Sequence, residues 1–116
     1  MITLYGIPNC DTVKKARTWL DQAGLSYQFH DFKKAGLDAA TVAAWMRQVG
    51  WETLVNKKGT TWRGLPDDVK TAVVDADSAT TLILAHTSVI KRPVLCVNEH
   101  VLVGFDPAIY QQTLTA

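Results

Sequence analysis

The feature that most limits the fold is the order of hydrophobic patterns over residues 1–32. Ile2-Thr3-Leu4-Tyr5 is a short apolar, partly β-branched run that breaks at Gly6 and Pro8. From Asp11 to Ala23, Val13, Ala16, Trp19, Leu20 and Ala23 recur at three- and four-residue intervals, the period of a helix. Gly24 stands where such a helix would stop. Ser26 to Phe32 places Tyr27, Phe29 and Asp31 against polar neighbours, a strand pattern. The sum is β-α-β, which predicts two parallel strands joined by a right-handed crossover.

The middle of the chain reads as helical. Asp38 opens a run with Val42, Ala43, Trp45, Met46 and Val49 in helical phase, closed by Gly50. Trp51 to Val55 predicts another turn of helix, and Asn56-Lys57-Lys58-Gly59 a polar loop. Pro66 suits a first helical turn, with Asp67 and Asp68 near the positive end of the helix dipole. Asp77 or Ser78 is the expected cap of a helix that carries Ala79, Leu82, Ile83 and Leu84 to His86. Strand patterning then returns at Pro93-Val94-Leu95-Cys96-Val97, with a reversal at Asn98-Glu99-His100 and a hairpin partner at Val101-Leu102-Val103-Gly104. Asp106-Pro107 begins a last helix, with Asp as cap and Pro in the first turn.

A length of 116 residues with 47% hydrophobic content fits one domain with a real core and leaves no room for a second of ordinary size. A net charge of +1 and a pI near 7.8 give no electrostatic footprint for nucleic acid or a membrane surface. The start MITLYGIPNC has neither the charged n-region nor the apolar h-region of a signal peptide, and cytoplasmic residence is the expectation. Two cysteines, Cys10 and Cys96, exclude a disulfide framework. His30, His86 and His100 lack ligand spacing, so no metal site is expected.

Chemistry concentrates at Cys10. Its place between a strand's end and a helix's first turn exposes it to unpaired backbone N–H groups and the helix dipole, which favour the reactive thiolate. A free cysteine is more often a small buried hydrophobe, but Asn9 and Asp11 give this one polar neighbours. The Thr12 hydroxyl and Lys14, one turn along the helix, are candidate supports for the sulfur, while Asp11 opposes it as a like charge. Cys96, apolar on both sides, reads as a buried inert thiol. Trp19, Trp45, Trp51 and Trp62 read as packing residues, not as a stacking platform.

The Tyr5-Gly6-x-x-x-Cys10 opening followed by Lys14-Lys15-Ala16-Arg17, the stretch from Asn56-Lys57-Lys58-Gly59 to Trp62-Arg63-x-Leu65, Lys91-Arg92-Pro93, and Val103-Gly104-Phe105 occur in order along nearly the whole chain. With these elements the chain resembles the arsenate-reductase-like ArsC/Spx family, in particular its small YffB-type members. The resemblance implies an α/β, thioredoxin-like mixed sheet (β-α-β … β-β-α) with a helical insertion of the ArsC type. The single domain would have its thioredoxin-like core at about 1–34 and 88–116 and the insertion at about 35–87. It also implies that Cys10 is the nucleophile and that Arg92-Pro93 lies opposite it, with a cis bond before Pro93.

Two departures from the family narrow the chemistry. Arsenate reductases hold their oxyanion with three arginines. Here only Arg92 has a clear counterpart, Asn56, Lys57 and Lys58 stand where the first would lie, and Val101 to Phe105 contains none. A lysine lacks the bidentate geometry of arginine. The family's redox-switch regulators carry Cys-x-x-Cys, whereas this chain has Cys10-Asp11-Thr12-Val13. The expected activity is therefore a thiol–disulfide oxidoreductase working through a mixed disulfide on one cysteine, with glutathione as co-substrate and no tightly bound cofactor. The expected substrate-binding set is Asn9, Thr12, Lys14, Lys57, Lys58, Arg92 and Pro93, and glutaredoxin is a candidate recycling partner. The alternatives are a Spx-like regulator that binds RNA polymerase without catalysis, and an arsenate reductase.

Overall fold

The structure, a computed structural model, describes residues 1–115. The described residues divide into two compact units, 1–34 with those from 92 on, and 35–91.

The first unit is built on a four-stranded sheet. Its strands are β1 (Ile2–Gly6), β2 (Tyr27–Asp31), β3 (Val94–Val97) and β4 (His100–Val103), in the order β2-β1-β3-β4. β1 runs parallel to β2 and antiparallel to β3, and β3 is antiparallel to β4, so the sheet is mixed as expected. Helix α1 (Asp11–Gln22) makes the crossover between β1 and β2. It ends where Gly24 takes φ +70, a conformation open to glycine without steric cost. The second strand stops one residue short of the expected end. Phe32 is buried and opens a short helix, α2 (Phe32–Ala35), because the Asp31 carboxylate accepts the Lys33 and Lys34 amides and turns the chain.

One face of the sheet, carrying Ile2, Leu4 and Leu95, packs on Ala16 and Leu20 of α1 and on Tyr110 of the last helix, α8 (Pro107–Leu114). The Tyr110 ring meets both Trp19 and Phe105 edge to face, with centroids 5.6 and 4.9 Å away. Its hydroxyl donates to the Gly104 carbonyl at 3.3 Å, and burial pushes its ionisation well above the ordinary tyrosine range. The expected cap and first turn of α8 are in place, with the Asp106 carboxylate accepting the Ala108 amide. The hairpin is tighter than its sequence predicts. Val97 already pairs with His100, so the reversal is Asn98-Glu99, with Asn98 at φ 53.

The second unit is helical. It contains α3 (Ala39–Val49), α4 (Trp51–Leu54), α5 (Thr60–Arg63), α6 (Asp67–Thr71), α7 (Ala76–Ala85) and a 3-10 turn at Thr87–Val89. Asp38 caps α3 as predicted, accepting the Thr41 amide at 2.7 Å. The cap of α7 is Asp75 and not Asp77 or Ser78. Ser78 instead occupies the third helical position and closes a reciprocal capping box with Asp75. Val42, Trp45 and Met46 of α3 are buried, as are Ala79, Leu82 and Ile83 of α7, and the Thr80 hydroxyl reaches Met46 Sδ between these helices. A bridge between Val55 and Ile90, with Asn56 donating to the Val89 carbonyl and Lys91 to that of Leu54, ties the end of α4 to the segment before β3.

Candidate functional site

Gly6 sets the turn that presents Cys10. A Cβ at this position would lie 2.8 Å from Val13 Cγ2, so only glycine lets the fully buried Val13 of α1 close over the end of β1. The chain then turns through Ile7-Pro8-Asn9, the Cys10 amide donating back to the Ile7 carbonyl at 3.4 Å. Cys10 is the N-cap residue of α1, with extended backbone, and its carbonyl accepts the Lys14 amide at 2.9 Å. Its Sγ makes no capping bond to the first-turn amides, and the residue is half-buried. The strand-to-helix placement read from the sequence is thus what the structure has.

The segment leading into β3 reaches the same end of the sheet. Tyr5 pairs with Val94, which sets Pro93 beside Gly6 at the same end of the central strand pair as the Cys10 turn. The Arg92–Pro93 peptide bond is cis, as the resemblance implies. The Pro93 carbonyl accepts the Gly104 amide at 2.8 Å, anchoring the residue, which is itself buried, to the end of β4. Arg92 is half-buried. Asn9, Thr12 and Lys14 are exposed around Cys10.

Lys57 and Lys58 belong to the helical unit, on the loop between α4 and α5. The Lys57 ammonium lies over the indoles of Trp51 and Trp62, 5.1 and 5.6 Å from their centroids. These two tryptophans, read from the sequence as packing residues, thus hold a cation between them. Lys58 is exposed, and its amide donates to the Asn56 side chain.

Cys96 departs from its expectation: it is half-buried. It pairs with Thr3 and Val101 in a row on the sheet face turned away from α1. Thr3 is three residues from Gly6, about 10 Å along a strand, and the Cys10 turn lies beyond. No disulfide joins the two cysteines. Position 13, where a Cys-x-x-Cys partner would stand, is the valine locked under Gly6. Among the described residues no cluster of histidine, cysteine or carboxylate side chains has the form of a metal site, and no helix is long and apolar enough to cross a membrane.

Comparison with known proteins matches this architecture. The solved structure of a YffB protein superposes with a TM-score of 0.94 at 46% identity, over 98% of this chain and 99% of that one. An uncharacterized protein of Haemophilus influenzae is 41% identical over 111 residues, 96% of either chain. The global transcriptional regulator Spx of Streptococcus mutans is 26% identical over 108 residues, which are 91% of this chain and 77% of the regulator. The model of the ArsC family matches residues 5–113. With its thioredoxin-like mixed sheet, its Cys10 turn and this match over nearly its full length, the chain belongs to the ArsC family.

Proposed function

We propose that this protein is a glutathione-dependent thiol–disulfide reductase acting through Cys10 alone. The observation that carries this reading is the half-buried Cys10 at the start of α1, with the Cys-x-x-Cys partner position filled by the buried Val13. A thiol so placed can form a mixed disulfide, and no cysteine stands at the Cys-x-x-Cys position to resolve it. In the first step the Cys10 thiolate attacks one sulfur of a disulfide. A Cys10 mixed disulfide forms, the substrate S–S bond breaks, and the other sulfur leaves as a thiolate. In the second step a glutathione thiolate attacks the mixed disulfide and restores Cys10; a further glutathione completes the two-electron reduction and leaves as oxidised glutathione. Lys14 and Arg92 would meet the carboxylates of the tripeptide as charge-assisted partners. Arsenate is disfavoured as substrate because Arg92 has no arginine companions at the corresponding positions.

The test is reaction with oxidised glutathione, following glutathionylation of each cysteine by mass. Cys10 in the folded chain is expected to react at least about tenfold faster than in the unfolded chain, the usual mark of an activated thiol. Equal rates in the two states would remove the basis of the reading. The similarity to Spx supports a second reading, a regulator that binds RNA polymerase. Retention of RNA polymerase by both the native protein and Cys10→Ser would favour it.

A further inference from the structure

The row of α1 residues spaced by four from Cys10 passes through Lys14, Thr18 and Gln22, one ridge of the helix surface. Beside that ridge runs a groove of about 400 Å³, between α1 and the corner joining β4 to α8. Its α1 wall also includes Lys15 and Trp19, and its far wall is Phe105 and Pro107. The rings of Trp19 and Phe105 are both held edge-on by the buried Tyr110, so the apolar surface they offer is fixed before any ligand arrives. Lys14 and Lys15 stand on α1 at the end nearer Cys10, and the residues lining the groove include no acidic one.

We infer that this groove seats the polypeptide that carries the disulfide, and that the substrate is a protein disulfide flanked by acidic residues. The inference rests on Cys10 being the nucleophile. Length decides between a peptide and a small thiol. From Cys10 to Gln22 the helix rises about 18 Å. Glutathione, with its cysteine in the middle of three residues, reaches only about 5–7 Å either way. Its carboxylates would meet Lys14, but Trp19 and Phe105 lie past its end. An extended chain spans the same distance in about five or six residues. It would place acidic side chains at Lys14 and Lys15 and an apolar one against the two rings.

The probe is a six-residue peptide with cysteine at one end, two glutamates next to it and phenylalanine at the other, made in both chain directions as its mixed disulfide with glutathione. The readout is the ratio of its rate constant at Cys10 to that of oxidised glutathione, a ratio insensitive to the folded fraction. The expected ratio is about tenfold or more, falling when lysines replace the glutamates of the peptide. In Thr18→Glu, which sets a like charge in the groove, the acidic peptide should lose its advantage and the lysine peptide should gain. A ratio near one in wild type and Thr18→Glu alike, with both disulfides still outpacing the unfolded chain, would overturn the groove and leave the Cys10 chemistry standing. Reaction of both disulfides no faster than with the unfolded chain would overturn the two together.

Discussion

Replacing Gly6 by alanine isolates the contact that shapes the Cys10 turn. The backbone of Gly6 is open to other residues, so alanine alone would stabilise by about 0.4–1 kcal/mol through the unfolded chain. Against that, its Cβ would meet Val13 Cγ2 at 2.8 Å and Cγ1 at 3.2 Å. Val13 cannot swing aside: it is fully buried, and a β-branched residue in a helix has one strongly preferred rotamer. Overpacking of this kind costs about 1–3 kcal/mol, so Gly6→Ala should destabilise by roughly 1–2 kcal/mol net. Val13→Ala alone removes two buried methyl groups and should cost about 2–3 kcal/mol. In the double variant the clash is gone, and Gly6→Ala should be neutral or stabilising on the Val13→Ala background. The coupling between the two sites should therefore reach about 1–3 kcal/mol. Urea unfolding of the wild type, both single variants and the double variant, followed by tryptophan fluorescence, measures it. The glutathionylation rate of Cys10 should fall in Gly6→Ala and recover in the double variant, because the same clash displaces the start of α1. Additive costs, agreeing within about 0.5 kcal/mol, would refute the claim that Val13 is what requires glycine here.

Acid should act through the caps of the helical unit. The Asp38 carboxyl is held below its ordinary value by the Thr41 hydroxyl and then the Thr41 amide, and that of Asp75 by the Ser78 amide and then the Ser78 hydroxyl. A carboxyl depressed in the folded state adds stability above its unfolded value of 3.8, and this is lost as pH falls through the folded value. The Asp38→Ala/Asp75→Ala variant should therefore lose less stability than wild type between about pH 5 and about pH 2.5 in parallel urea titrations. Lys57→Met should cost about 0.5–1 kcal/mol and alter tryptophan fluorescence by removing the cation between Trp51 and Trp62, whereas Lys58→Met should do neither. An identical response of the two lysine variants would count against the sandwich.

Where local chemistry dictated structure, the sequence was readable. The helical period of Val13, Ala16 and Leu20, the glycine stop at Gly24, and the Asp38 and Asp106 caps all act within a few residues of themselves. The strand–Gly–Pro–Cys–helix order alone placed Cys10 at a helix start. What escaped were features with competing local signals or none. Helix α5 is four residues long and too short for a period. The run Asp75-Ala76-Asp77-Ser78 offers three capping residues, and only the closing of the box with Ser78 selects the first. Cys96 is flanked by apolar residues, yet alternation puts it on the sheet face away from α1. The opposition of Pro93 to the Cys10 turn was implied by the family resemblance and depends on strand register, which no short stretch of sequence reveals. The far wall of the groove, Phe105 and Pro107, lies more than eighty residues from the α1 residues it faces.

The central position of β1 bears on how the chain is made. Leu4 emerges from the ribosome about 90 residues before Leu95, its partner on one side, and pairings of such long range form slowly. Residues 35–91 are complete before β3 exists. Through that interval α1 and β2 have only one side of β1 to build on, and the Cys10 turn has no Pro93 across from it. The thiol is thus synthesised some eighty residues before Pro93. A nascent chain stalled before residue 92 would carry Cys10 without the Pro93 segment at that end of the sheet.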